Sequence, residues 1–358
     1  MNNRVAYIDI ARGLGILVIV LGHNDLAGYH PLLHKFIYAF HIPLFFFLSG
    51  MFFRPERPFG DTLTRRFNTL MKPYFFTLFI IYLGEAAFSN MTFPVIAGRI
   101  AKSLYATGHY IDWVQLWFIP HLFAVSLFAW LAWRGIFGRV NSDWLRWLLM
   151  FAMLAVGVYT MHYFWPFTPP LLIDTPLFGL PFSVDLVFAS GFFFLLGYEV
   201  NRRPLEKFFA SPLVLTGTFA ALLAMVLRLS PALDFNTRTY PSLGINTIEA
   251  LLGIVMVLSL ARNIEKWSAR LTDVFSYFGR ISLVILIFHV PIQETLFGKY
   301  VRFGIPNDGA IFLAFASGVL IPVLIYELAI RHNPRLRPWF GFAATEVAAT
   351  STKPTSVG

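Results

Sequence analysis

Three chemically active side chains lie within one apolar stretch near the N-terminus. The segment DIARGLGILVIVLGH carries Asp9, Arg12 and His23 among residues that are otherwise suited to hydrocarbon. If the stretch is a helix, Arg12 and His23 are about three turns apart, so both project from nearly the same face, roughly 16 Å from each other. Asp9 precedes Arg12 by one turn and can pair with it. One helix would then carry a fixed cation and, further along, a titratable base.

Ionisable groups inside a membrane segment usually face a cavity or a substrate pathway, because hydrocarbon penalises them. The simpler interpretation is an interfacial ion pair between Asp9 and Arg12, with His23 as a boundary residue. Later apolar runs contain further polar or amphipathic side chains, in the stretches HIPLFFFLSG, LWFIPHLF and GRISLVILIFHVPI: His41, Trp117, His121 and His289. Each of these histidines alone would be a packing residue. Four histidines in the membrane together indicate a polar cavity.

The composition indicates what must position these residues. The chain has 358 residues, of which 57% are hydrophobic and 13% are charged, whereas soluble domains carry about 25% charged residues. Apolar runs of about twenty residues, the length of a membrane-spanning helix, lie at 5–23, 36–53, 73–90, 114–133, 145–165, 184–200, 211–229, 245–262, 278–297 and 309–330. The sequence therefore predicts an all-α polytopic membrane protein with about ten transmembrane helices, formed by residues 1–335. Residues 336–358 are predicted to form a disordered cytoplasmic tail.

The distribution of basic residues predicts the orientation. With a cytoplasmic N-terminus, twenty Lys and Arg residues fall on the cytoplasmic side and seven on the other. This excess of cytoplasmic Lys and Arg is what the positive-inside rule describes for membrane proteins. Both termini are predicted to be cytoplasmic, Arg12 to lie in the inner half of the membrane and His23 near the outer end. The same bias explains the net charge of +9 without nucleic acid as a partner.

The remaining question for the sequence is whether it contains a metal site or further acidic site residues. The chain has no cysteine, and no helix carries two histidines three or four residues apart, so no metal site is predicted. Glu199 is expected to pair with Arg202 and Arg203 at the cytoplasmic end of a helix. Asp185 and Glu249 lie in or beside apolar runs and are candidates for lining the cavity.

The order of IDIARGLGILVIVLGH, HIPLFFFLSG, LWFIPHLF and GRISLVILIFHVPI resembles the membrane acyltransferase-3 family over roughly residues 5–330. Members are polytopic enzymes with about ten helices that O-acylate sugars of cell-surface polysaccharides, glucans or related molecules. The family's most specific motif is an arginine, ten residues and a histidine in the first helix, which Arg12 and His23 match. Its second motif, aromatic residues before Ser-Gly, is matched by Phe45, Phe46, Ser49 and Gly50. The stretch LWFIPHLF is similar to the fucose 4-O-acetylase-like subgroup.

The resemblance implies transfer of an acyl group, foremost acetyl, from acyl-coenzyme A to a sugar hydroxyl at the inner (plasma) membrane. Acetyl-coenzyme A would be a donor substrate, with no permanently bound cofactor. Arg12, Arg65 and Arg66 would bind the polyanionic donor, or Arg12 would stabilise oxyanion charge. His23 would act as a general base or take the acyl group covalently. The acceptor would be bound by the remaining membrane residues of the polar set: His41, Trp117, His121 and His289.

A different class of protein fits some of the same residues. Intramembrane His, Arg and Asp also mark proton and substrate pathways in a transporter or flippase for a glycan or small polar solute. Transporters often contain inverted repeats with interrupted helices, and the sequence shows no pair of matching interrupted segments. The acyltransferase is therefore the favoured prediction. The sequence predicts no particular oligomeric state.

Overall fold

The computed structural model describes residues 3–88, 92–168, 176–229 and 232–342. Within these ranges every regular element is a helix, and β-structure is limited to two isolated bridges, Phe167 with Leu177 and Asp234 with Thr239. The predicted all-α polytopic fold is confirmed. The part of the predicted tail that follows Phe342 lies outside the described residues.

The longer helical segments are named here in chain order: α1 Asn3–Gly22, α2 Pro31–Gly50, α3 Phe59–Phe88, α4 Phe93–Tyr105, α5 Val114–Arg139, α6 Asp143–Phe164, α7 Pro181–Asn201, α8 Pro212–Arg228, α9 Leu243–Trp267, α10 Ala269–Arg280, α11 Ser282–Arg302 and α12 Asn307–Ile330. Segment α2 consists of two helical stretches, Pro31–Tyr38 and His41–Gly50. Shorter helical turns lie at Leu26–Tyr29, Gly108–Tyr110, Glu206–Phe209 and Arg337–Phe340.

A helical segment of the structure lies at each of the ten predicted spans, because each apolar run can satisfy its backbone hydrogen bonds internally. By length and composition, seven helices of the described chain can cross a membrane, or eight if the bent pair α10–α11 counts as one span. Helix α8 has 17 residues and is shorter than this criterion. The count of about ten therefore stays a prediction.

Helix α1 contacts α2, α9, α10 and α11, so the predicted catalytic residues lie on a central element. Its approach to α10 is close because glycines face each other's backbones. A Cβ atom on Gly13 would collide with the carbonyl of Phe275, and one on Gly279 would collide with the carbonyl of Asp9. Small residues allow this kind of close packing between membrane helices. The crossing fixes the neighbouring Arg12 beside the end of α10.

A second glycine crossing joins α2 to α7. A Cβ atom on Gly50 would meet the carbonyl of Phe194, and one on Gly197 would meet the carbonyl of Phe47. The Ser-Gly pair of the second motif therefore has a packing role, which holds Ser49 against the core.

The chain bends by 75° between α10 and α11. The bend lies at Ile281, which is buried. The predicted span 278–297 therefore contains a break near its start, and the helices on the two sides of the break run in different directions. Arg280 and Ser282, on the two sides of the bend, both line the cavity described below. The break thus turns two consecutive helix ends toward one site.

Candidate active site

A cavity of the described chain lies between α1, α2, α3, α5, α10, α11 and the residues after α12. Its volume is about 420 Å³, within the range of small-molecule sites. Six arginines line it, and no aspartate or glutamate does so among residues 3–88, 92–168, 176–229 and 232–342: Arg12, Arg54, Arg57, Arg65, Arg66 and Arg280. A cavity lined by six arginines and by no described carboxylate suits a polyanionic ligand.

Arg12 is partly buried, and its guanidinium carbon lies 4.5 Å from the centroid of the Phe52 ring. The expected ion pair with Asp9 is not formed in the described structure, where the carboxylate does not come within ion-pair distance. Among the described residues, Arg54 is the one cavity arginine with such a pair, with Glu56 at 3.9 Å, and both of those side chains are exposed. Arg12 therefore keeps its hydrogen-bond donors for a ligand.

The structure brings Arg65 and Arg66 to the same cavity as Arg12. It also adds Arg54 and Arg57, which belong to the same basic 54–72 loop, and Arg280, which the sequence assigned to topology alone. Their only sequence signal was the cluster of basic residues that the positive-inside rule already explains. Their convergence depends on the path of the chain between α2 and α3 and on the bend before α11.

His23 lies at the other end of α1 and contacts two other histidines. Its Nδ1 atom is 3.1 Å from Nε2 of His289, and the centroid of its ring is 6.3 Å from that of His41, edge-on. His289 and His41 are buried, whereas His23 is partly exposed. The prediction that His41 lies beside the end of the first helix agrees with this geometry. Because Arg12 and His23 contact Phe52 and His41 respectively, both face α2 and the residues that follow it.

The hydrogen-bond partners determine the neutral tautomers. Nδ1 of His289 lies 3.0 Å from the carbonyl oxygen of Ile285 and 2.9 Å from that of Leu286. A carbonyl oxygen only accepts, so Nδ1 of His289 carries the proton and its Nε2 accepts. Nδ1 of His23 then donates to that Nε2. As a result, Nε2 of His23 retains its lone pair, as a base or nucleophile requires.

The cavity ends about one helical turn from this histidine group. Its wall includes Phe45 on α2 and Leu286 on α11. His41 lies four residues before Phe45, and His289 lies three residues after Leu286, which corresponds to roughly 5 Å along each helix. The histidine group therefore lies just beyond the apolar floor of the cavity, which separates it from the arginine end.

His121 and Trp117 belong to a second cluster. Their rings stack with centroids 5.6 Å apart, and His121 contacts the carbonyl of Phe182 at 3.2 Å and the hydroxyl of Ser190 at 2.9 Å. Both ring nitrogens of His121 thus have protein partners, and the side chain is fully buried. The structure explains His121 as a packing residue between α5 and α7.

Two buried amides, which sequence reasoning missed, support the histidine end. Gln293 donates to the carbonyl of Val20 at 2.9 Å, one turn before His23. Gln115 donates to the carbonyl of Ile287 at 2.8 Å, close to His289. Their only signal was an uncharged amide in or beside an apolar run. They tie α5 and α1 to the helix that carries His289.

Asp185, a candidate for lining the cavity, instead forms a fully buried ion pair. Its carboxylate accepts from Nε and Nη2 of Arg238 at 2.8 and 3.0 Å and from the backbone amide of Leu180 at 2.8 Å. Arg238 also lies over the ring of Trp165. The pair joins the start of α7 to the connection between α8 and α9, away from the arginine cavity.

The other acidic residues also have structural partners. Glu199 pairs with Arg203 at 2.8 Å and with Arg146 at 3.3 Å, so the predicted ion pair at this helix end is confirmed. Glu249 is buried and accepts from Asn246 at 3.3 Å. In the described ranges no three His, Cys, Asp or Glu side chains are grouped as metal ligands.

Sequence comparison provides an independent line of evidence. The profile described as an acyltransferase domain matches residues 5–327, which is nearly the whole chain. No curated protein and no solved structure matches. The matched range contains the arginine–histidine motif of α1, the Ser-Gly motif of α2 and His289 of α11. The chain therefore belongs to the acyltransferase-3 family of membrane acyltransferases.

Proposed function

We propose that the protein transfers an acetyl group from acetyl-coenzyme A to a sugar hydroxyl of a cell-surface polysaccharide or glycan precursor. The observation that supports this function best is the arginine-lined cavity, which ends one helical turn from the pair His23–His289. A polyanionic donor and a base with a free lone pair are the two parts that acyl transfer from a coenzyme A thioester requires.

The donor would enter at the arginine end. The pyrophosphate and 3′-phosphate of coenzyme A carry several negative charges, and guanidinium groups bind phosphate in bidentate fashion. Arg65 is exposed at the cavity, whereas Arg66 and Arg12 are partly buried in its lining. The acyl end would then point along α1 toward His23.

The floor of the cavity favours a small acyl group. Phe45, Phe118 and Leu286 form the apolar wall between the cavity and the histidines, and Phe45 packs edge-on against Phe118 with ring centroids 6.1 Å apart. About one helical turn separates this wall from His41 and His289, which contact His23. An acetyl group crosses such a gap with less displacement of packed side chains than a long chain would need.

His23 would supply the proton transfer. Nε2 takes the proton from the sugar hydroxyl while its oxygen attacks the thioester carbonyl, the carbon–sulfur bond breaks, and the coenzyme A thiolate leaves and takes up a proton. In the covalent route the same lone pair attacks the carbonyl first, and the carbon–sulfur bond breaks to release the coenzyme A thiolate. The sugar hydroxyl then attacks the acyl-histidine, the acyl–nitrogen bond breaks, and His23 takes the hydroxyl proton and passes it to the thiolate. His289 orients the ring in both routes.

The acceptor would approach His23 from the end of α1 opposite the arginines. His23 is partly exposed there, and His41 presents a second ring nitrogen, because its Nδ1 donates to the carbonyl of Ile37 at 3.0 Å. The stretch LWFIPHLF favours an acceptor like that of the fucose 4-O-acetylase-like subgroup. Following the charge bias, we place this end on the outer face of the plasma membrane, with both termini cytoplasmic.

Transfer of radiolabel from acetyl-coenzyme A to a crude surface polysaccharide, by purified protein in liposomes, tests the function. Wild-type protein should move label into alkali-labile esters on the glycan, and His23→Ala should not. His162→Ala is the matched control, because His162 is exposed and outside the site. Rapid denaturation at neutral pH before acceptor is added, followed by mass spectrometry of the protein, would detect an acyl-histidine if the covalent route operates.

Two outcomes would contradict the proposal. Transport of intact sugar across the liposome membrane without acyl transfer would support the transporter instead. Equal labelling by wild type and well-folded His23→Ala would remove His23 from the chemistry.

A further inference from the structure

The last described residues of the chain form part of the arginine cavity. After α12 the chain turns at Asn333, whose side-chain oxygen accepts from the amides of Arg335 and Leu336 at 3.0 and 3.2 Å. Residues 337–342, here named the C-terminal strap, then return toward the bundle. The family match ends at residue 327, so the strap lies beyond the matched region.

Aromatic contacts hold the strap against three helices. Trp339 stacks on Phe76 of α3 with ring centroids 5.1 Å apart, and the ammonium of Lys72 lies 4.6 Å from the centroid of the Trp339 ring. Phe340 is 4% exposed and packs on Phe76 and on Phe288 of α11. The strap is thus a packed element of the bundle rather than a free end, and the predicted tail boundary at 336 falls at its start.

The strap reaches the cavity through Gly341. This residue has φ +79°, and a Cβ atom on it would lie 3.1 Å from the carbonyl oxygen of Thr69, so the chain passes close to α3. Phe340, Gly341 and Phe342 all line the cavity. Phe342 is only partly buried, and its ring packs on Tyr326 with centroids 5.1 Å apart.

An aromatic ring beside a group of arginines suits a nucleotide. The purine base offers a π-face that stacks on an aromatic side chain, while its phosphates take the guanidinium groups. We propose that the C-terminal strap is the base-binding wall of the donor site, with Phe342 packed against the adenine of coenzyme A. This rests on the proposed function, because it takes coenzyme A as the donor.

Calorimetric titration of full-length protein in detergent with coenzyme A, adenosine 3′,5′-bisphosphate and pantetheine tests the assignment. Phe342→Ala should weaken binding of coenzyme A and of the bisphosphate about tenfold, the scale of one lost base stack. Affinity for pantetheine, which lacks the nucleotide, should not change. Phe342→Tyr keeps the ring and should bind like wild type. A chain that ends at Asn333 should lose nucleotide affinity, whereas one that ends at Phe342 should retain it.

The outcomes separate the two proposals. If wild type binds coenzyme A, and Phe342→Ala binds coenzyme A and the bisphosphate with the same affinities as wild type, then the base-binding wall is wrong while the proposed function stands. If wild type binds none of the three ligands, both are wrong. If the chain that ends at Asn333 does not fold, the nucleotide affinities of Phe342→Ala and Phe342→Tyr, measured on variants with matched melting temperatures, still test the base-binding wall.

Discussion

Nδ1 of His23 lies 3.1 Å from Nε2 of His289, although the two residues are 266 positions apart in the chain. His289 is fully buried and fixed by two backbone carbonyls. A histidine near the end of the first helix therefore has an orienting partner on α11, which sets its tautomer. This gives His289 a positioning role in addition to packing.

The histidine pair predicts unequal effects of substitution. His23→Ala should reduce kcat by on the order of 10²- to 10⁴-fold, as expected for loss of a general base. His289→Leu removes the acceptor for Nδ1 of His23 and should lower kcat by roughly tenfold or more, with the KM for the donor unchanged. His289→Gln keeps an acceptor oxygen and should restore part of the loss. Steady-state kinetics at equal protein abundance checks this, and full kcat in a folded His289→Leu variant would contradict the positioning role.

Arg12 forms no ion pair within the described residues, and we predict that its guanidinium binds the ligand through directional hydrogen bonds as well as through its charge. Arg12→Lys keeps the cation but loses the planar fork. Transfer efficiency should fall roughly 10- to 100-fold, since hydrogen bonds to charged groups contribute more than neutral ones. Arg134→Lys is the matched control, because Arg134 lies over Trp130 outside the cavity. Similar kcat/KM values for both variants and wild type would show that Arg12 makes no directional contact.

The crossing of α1 and α10 predicts a stability effect. Gly13→Ala forces a methyl group against the carbonyl of Phe275 and should destabilise the fold by about 1–3 kcal/mol, the usual cost of overpacking. Gly84→Ala is the control, because Gly84 is also helical but its Cβ would meet no atom within 4 Å. Melting in detergent should show a lower Tm for the first variant only. Equal Tm values would mean that the two helices can separate at little cost.

The buried pair Asp185–Arg238 predicts loss of stability without loss of chemistry. Asp185→Asn leaves a buried guanidinium without its counter-charge and should cost about 3–5 kcal/mol. Glu56→Gln, in the exposed pair with Arg54, should change stability by at most about 1 kcal/mol. Transfer rate per folded molecule should be normal in Asp185→Asn. A selective fall in kcat at unchanged Tm would instead place Asp185 in the catalytic site.

The charge bias predicts which end of the bundle faces the cytoplasm. Because the chain has no cysteine, single cysteines can be introduced and labelled in intact cells. Asp61→Cys, at an exposed position of the arginine end, should resist a membrane-impermeant maleimide. Phe303→Cys, where the side chain is 81% exposed beyond α11, should be labelled. The reverse pattern would invert the topology and the direction of transfer.

The sequence by itself determined the membrane class, the helical content and the face that carries Arg12 and His23. These features depend on local properties: apolar runs long enough to span the bilayer, and a helical period that brings residues eleven apart onto one side. The family resemblance depended on the same local motifs and was confirmed by the match over residues 5–327.

The tertiary structure alone decided the partners of those residues. A local rule placed Asp9 beside Arg12, but the side chain of Arg12 lies over Phe52. Spacing along one helix could not predict that His289 contacts His23, or that Arg280 and Phe342 line the cavity with Arg12. Their positions follow from glycine crossings, a 75° bend and a strap that returns after the last helix. Such contacts between distant segments depend on how whole helices pack, which local spacing does not encode.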